Sequence, residues 1–434
     1  MSIQKKANII VLGFLFVFIF FSIPILFSSV RYNIIKITET FVMHRLLNHE
    51  KWDGLLFNTA VYSVLVFFPL LILKLFSLYF SLKVQNSFIN FVRCLACLMV
   101  YILHTSIFTN SRGVPLFTSF YSKLLQTPAW GGVWIFFILG GFLAGKSFAE
   151  GRYEFDMKSI CQYYKKKFVK IIIPTFSFIF LCCVFVYPLF LKNNPVALFR
   201  FLTFSYNGSP GVDGIGACWY VFTLVPLYLL TPLFCFIAQK LVENKRFVIC
   251  ITLIVFLLGF CYRYFARKFG LDWYTIMYTP FYANIDLFFG GILIARLAEL
   301  ELKNKNCSFI KDFSLFALLA IVLLNTVFYG DMFFYQVVCP SLYLVILAVC
   351  LIAFSDEIWT HTYSNIFEKT LAWFSGISFD FYLFHSLVLY TILPAFKDQN
   401  VFLLHGKLLV IGFIITTICS IGFSRIFVKG KKVK

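Results

Sequence analysis

Apolar residues run in blocks of about 20 along nearly the whole chain, separated by short polar stretches. A helix of that length crosses the roughly 30 Å hydrocarbon core of a bilayer. The pattern predicts an all-α fold, a polytopic transmembrane helical bundle of about twelve spans. These are Asn8–Ser29, Phe57–Phe80, Phe88–Phe108, Trp130–Ala149, Phe168–Leu191, Ala217–Gln239, Phe247–Phe265, Tyr278–Ala298, Phe313–Phe328, Phe334–Phe354, Leu371–Leu393 and Phe402–Phe427. The first block is too long for a signal peptide, and Pro24 and Ser28 to Arg31 offer no small-x-small cleavage site, so it is expected to stay as a membrane helix. Residues 1–83 are expected to form a two-helix extension. Residues 84–434 then form a ten-helix unit ending in a short basic tail.

Composition agrees with a membrane protein: 61% of residues are apolar, and the mean hydropathy is +0.87. The net charge of +19 could suggest nucleic acid as a partner. The basic residues instead cluster in alternate loops, as the positive-inside rule requires, and no nucleic-acid partner is expected. Lys5, Lys6 and the closing Lys429, Lys431, Lys432 and Lys434 place both termini in the cytoplasm when the span count is even. The thirteen cysteines lie mostly within apolar blocks and read as small buried hydrophobes. Cys94 and Cys97 have redox spacing, yet no second pair or ligand histidine accompanies them. No zinc-ligand spacing, phosphate loop or Gly-x-Ser-x-Gly elbow is present, so no metal site is expected.

The chemistry is concentrated in the block NFVRCLACLMVYILHTSIF, Asn90 to Phe108. His104 follows Arg93 by eleven positions, so on a helix the two share a face about 16 Å apart along the axis. Ionisable side chains within a span usually mark a functional pathway, although an arginine can snorkel and a histidine can bond a neighbouring helix. Lys167 and Lys170, with Pro174 close behind, open a later block at the level of Arg93. They serve either as a topology anchor or as ligands for phosphate groups. The Gly-rich block WGGVWIFFILGGFLAGKSF suits close helix packing, and equally a narrow passage for a thin ligand. Asp286 lies ten positions from Arg296, about 15 Å from that membrane edge and close to the depth of His104. It is expected either to orient His104 or to pair with a basic residue. Asp380 carries the same two readings, while Ser378 and His385, seven positions apart, share a face.

These residues resemble the acyltransferase-3 family of integral-membrane acyltransferases, which includes bacterial polysaccharide and O-antigen O-acetyltransferases. Arg93 and His104 match its Arg, ten residues, His spacing. Phe136-Phe137-Ile138-Leu139-Gly140-Gly141-Phe142 stands where the family has Phe-Phe-x-x-Ser-Gly-Phe, with Gly140 replacing the serine. Lys167-Phe168-Val169-Lys170 and Pro174 are similar to its Arg-x-x-Arg and following proline, with lysines for both arginines. Trp219-Tyr220 with Tyr228 and Pro232 looks like a further family helix, and Asp286 falls four residues before Gly290, where many members have an acid. Ser378-Phe379-x-x-Tyr382-Leu383-x-His385 resembles its late motif. The resemblance covers roughly Val84 to Phe427.

What the resemblance implies is transfer of an acyl group, usually acetyl, from cytoplasmic acetyl-CoA to a glycan hydroxyl in the bacterial inner membrane. Acetyl-CoA would be a co-substrate, with no permanently bound cofactor. O-antigen or another surface polysaccharide would be the acceptor, and membrane lipids the surroundings. His104 would be the general base or acyl relay, helped by Asp286, and Arg93, Lys167 and Lys170 would hold the donor. Phe136, Phe137, Gly141, Trp219, Ser378, Asp380, Tyr382 and His385 are further candidate site residues. A succinyl or other acyl transferase is the nearest alternative. A lipid-linked sugar transporter or flippase is the rival class, and it would be expected to show internal symmetry, which this chain lacks.

Overall fold

A computed structural model describes residues 87–110, 120–186, 190–206, 215–241, 244–301, 317–318, 333–354, 366–396 and 401–428. Among these residues nine helices are long and apolar enough to cross a membrane. We number them α1 (Phe88–Ile107), α2 (Trp130–Ala149), α3 (Met157–Val184), α4 (Gly216–Gln239), α5 (Lys245–Lys268), α6 (Phe281–Leu300), α7 (Phe334–Ala353), α8 (Glu368–Ala395) and α9 (Leu403–Ser424). Each coincides with an expected span to within a few residues, except α3. The expected spans Asn8–Ser29 and Phe57–Phe80, and all but two residues of Phe313–Phe328, lie outside the described residues. The described part is therefore helical and multi-spanning, and a count of twelve is not reached within it.

Helix α3 begins eleven residues earlier than its apolar block predicts, at Met157 rather than Phe168. The polar turns form because the Asp156 side chain accepts a hydrogen bond from Ser159 N, capping the helix. The Tyr163 ring supplies the buried anchor of this otherwise exposed stretch. A π-helical turn, Phe168–Ile172, then precedes Pro174. Proline lacks an N–H and crowds the preceding turn, so a widened turn there keeps the helix continuous. The basic run Lys165 to Lys170 is therefore carried on a rigid helix rather than a loop.

The packing is centred on α2, which lies against α6, α1 and α7. Small residues set the closest approach. A Cβ on Gly141 would lie 1.8 Å from Phe288 O, and one on Gly291 2.2 Å from Ile138 O. Without a hydrophobic drive between helices in lipid, such backbone contact supplies dispersion contacts that a side chain would abolish. Gly141 is thus a packing residue of the α2–α6 contact. Another side of α1 packs on α8, and the two run in the same direction, since Cys94 meets Leu371 O while Cys97 meets Ser378 O.

Candidate active site

The parallel α1–α8 pair positions the two ends of the site. Arg93 Nη1 donates to Ser375 Oγ at 3.0 Å. Three turns further on, the His104 ring meets the His385 ring edge-on, with centroids 4.7 Å apart. The shared face expected for Arg93 and His104 is observed, and that face is turned towards α8. Ten positions separate Ser375 from His385, nearly the spacing of their partners, because parallel helices rise at one rate.

At the Arg93 end the cations converge. The charges of Lys170 and Arg93 both act on Lys167. Lys167 Nζ sits 3.8 Å above the centre of the Tyr228 ring and 5.4 Å from that of Tyr163. A lysine over an aromatic face keeps part of its electrostatic stabilisation without a carboxylate partner. Lys170 is exposed and Arg93 half-buried, so the group has an open side. Three like charges held close together favour an anionic ligand over any neutral one.

Aromatic side chains link the cations to the histidines. Tyr228 belongs to α4, as does Tyr220, whose ring lies 4.9 Å from Phe137 and 6.1 Å from Phe136. Tyr220 is 5.3 Å from Tyr382, and Tyr382 is 5.4 Å from His385. Tyr382 OH donates to Ala217 O at 2.7 Å, tying α8 to the first turn of α4. Trp219 turns the other way and packs on Tyr278 at 4.9 Å. Ser378 Oγ donates to Ser375 O, one turn back, and so braces the serine that receives Arg93.

The two carboxylates are elsewhere. Of its two expected roles Asp286 takes the second, pairing with a basic residue and not with His104: its Oδ2 and Oδ1 each accept from Arg263, both at 2.8 Å. Arg263 also donates to Ala283 O at 3.0 Å, and both side chains of the pair are almost wholly buried between α5 and α6. A guanidinium offers a fork that matches both carboxylate oxygens, which a single imidazole nitrogen cannot do. Depth along the membrane was equal, but depth does not specify which helix stands next to which. Asp380 is half-buried and forms no ion pair among the described residues.

Three residues of this region are absent from the sequence-based site. Arg263 carries the signal of any charge inside an apolar block, two positions before the expected end of its span. Ser375 lies one turn before Ser378 on the same face. His405, almost fully buried, places Nε2 3.2 Å from Thr105 Oγ, next in sequence to His104. No local pattern marks His405.

No curated protein and no solved structure matches the chain. A family model described as an acyltransferase domain matches residues 86–426, which include every element of the site. The arrangement of Arg93, His104 and the basic α3 therefore sits within a recognised scaffold, and the chain belongs to the acyltransferase-3 family.

Proposed function

We propose that this membrane acyltransferase moves an acetyl group from acetyl-CoA to a hydroxyl of a lipid-linked or cell-surface glycan, in the bacterial cytoplasmic membrane. One observation carries the reading: Arg93 with Lys167 and Lys170 at one level, and His104 about 16 Å along the same helix face. Coenzyme A has phosphates at one end of a long thin arm and its thioester at the other. Cations at one end and a base at the other suit that molecule, and the aromatic series Tyr228, Tyr220, Phe136 and Tyr382 would flank its arm between them.

The chemistry needs little else. A sugar hydroxyl becomes a competent nucleophile when a positioned base removes its proton. His104 takes that proton as the hydroxyl oxygen bonds to the thioester carbon. The carbon–sulfur bond then breaks, and the proton passes from His104 to the departing sulfur. An ester and free coenzyme A result, with His104 restored. Arg93 and the lysines hold the donor's phosphates at the membrane edge throughout, so that phosphate charge never enters the hydrocarbon core.

The test compares surface glycan from cells with and without the gene, by composition and NMR. Loss of O-acetyl signals from the deletion strain is expected, with the chemical shifts naming the acyl group and the hydroxyl. Identical acylation in both strains would sink the assignment.

A further inference from the structure

The structure leaves one buried nitrogen unexplained. His385 is 1% exposed, and its Nδ1 lies 2.5 Å from the backbone oxygen of Tyr382. A carbonyl oxygen can only accept, so Nδ1 carries the hydrogen. A neutral ring then has a bare lone pair on Nε2, and among the described residues that atom is buried without any hydrogen-bond partner. Leaving a buried acceptor unpaired costs about 1–3 kcal/mol. The Tyr382 carbonyl, in mid-helix, gains little from the extra bond. Stability alone would be better served by an apolar ring at this position.

The neighbour that could use the lone pair is His104. Its ring stands edge-on to His385, at 4.7 Å and 68°. In such a contact the edge of one ring meets the face of the other, so the rings touch without a hydrogen bond and Nε2 stays unpaired until a ring turns. His104 is also the more open of the two, half-buried where His385 is sealed. We propose that His385 is the positioning residue of the site. With donor and acceptor bound, a turn of the two rings brings the N–H of His104 to this Nε2 and so selects the His104 tautomer whose other nitrogen is bare towards the acceptor hydroxyl. This is the part that a carboxylate takes in a Ser-His-Asp triad, here filled by a neutral acceptor. Asp286, occupied by Arg263, cannot supply it. The inference rests on His104 being the base, as proposed above.

The two amides separate the roles of the two nitrogens. His385→Asn places an amide N–H near Nδ1 and keeps the bond to Tyr382 while removing the acceptor. His385→Gln reaches the Nε2 position with an amide oxygen and restores the acceptor. Purified proteins would be assayed with labelled acetyl-CoA and glycan isolated from cells lacking the gene. Asn is expected to lower kcat about 10²-fold with the KM of both substrates unchanged, and Gln to keep at least about a tenth of normal kcat. Asn equal to or better than Gln would overturn the assignment, and so would failure of both proteins to accumulate, which would make His385 a folding residue. His104→Ala in the same assay separates the two levels. If His104→Ala is inactive while Asn and Gln behave alike, only the role of His385 falls. If the unaltered enzyme transfers no acetyl, or His104→Ala transfers it normally, the underlying reading falls.

Discussion

At the scale of single residues, His104 gains its significance from its surroundings rather than from its type. It stands at the border of a sealed region, with His385 behind it and Thr105 and His405 beside it. As the proposed general base, His104 changed to alanine (His104→Ala) should reduce transfer about 10²–10⁴-fold at normal membrane abundance, because a general base contributes that much. Glycan acylation and immunoblotting together would check it. Arg93 has a different task. It bonds Ser375, and its charge reaches Lys167. If Arg93 holds the donor as proposed, Arg93→Ala should raise the KM for acetyl-CoA at least about tenfold with a smaller change in kcat, as removal of a phosphate contact does. A steady-state titration of the donor would show the split, and an unchanged KM would move the donor site elsewhere.

Between elements, two kinds of contact hold the helices in register. The α2–α6 seam depends on the absence of side chains at Gly141 and Gly291. Gly141→Leu would drive a side chain into the backbone at Phe288, and should lower abundance sharply or prevent folding. The α5–α6 contact depends instead on Arg263 and Asp286. Asp286→Ala would leave a buried guanidinium without its carboxylate, at a cost of about 3–5 kcal/mol. Thermal unfolding in detergent should register that loss. Replacing both partners with apolar residues, Arg263→Met with Asp286→Leu, should recover most of it and retain activity. A stable but inactive double variant would instead return Asp286 to the chemistry.

For the whole molecule, the helices α1 and α8 run parallel, so their beginnings share one side of the membrane. Basic residues at the start of α3 and around Lys245 and Arg246 mark that same class of loop by the positive-inside rule. The C-terminal Lys434 is therefore expected in the cytoplasm. A fluorescent protein fused after it should fluoresce, and alkaline phosphatase fused there should be inactive. The opposite pair of results would reverse the orientation, and with it the side from which the proposed donor would approach Arg93, Lys167 and Lys170.

The sequence by itself determined the class of fold and one axis of the site. Hydrophobic length reports membrane crossing because bilayer thickness is constant, and helical periodicity is local, so nine spans and the Arg93–His104 face were legible. The start of α3 was not, because its polar turns are held by an Asp156 cap and by Tyr163 packing rather than by apolar content. Tertiary structure decided everything that depends on which helix is a neighbour. Two carboxylates and several cations lay at compatible depths, and only the packing of α5 on α6 gave Asp286 to Arg263. The same packing, of α1 on α8, brought His385 to His104. Depth is a one-dimensional quantity that a sequence encodes directly. Azimuth around the bundle is set by long-range contacts between small residues and rings, and it exists only in the folded molecule.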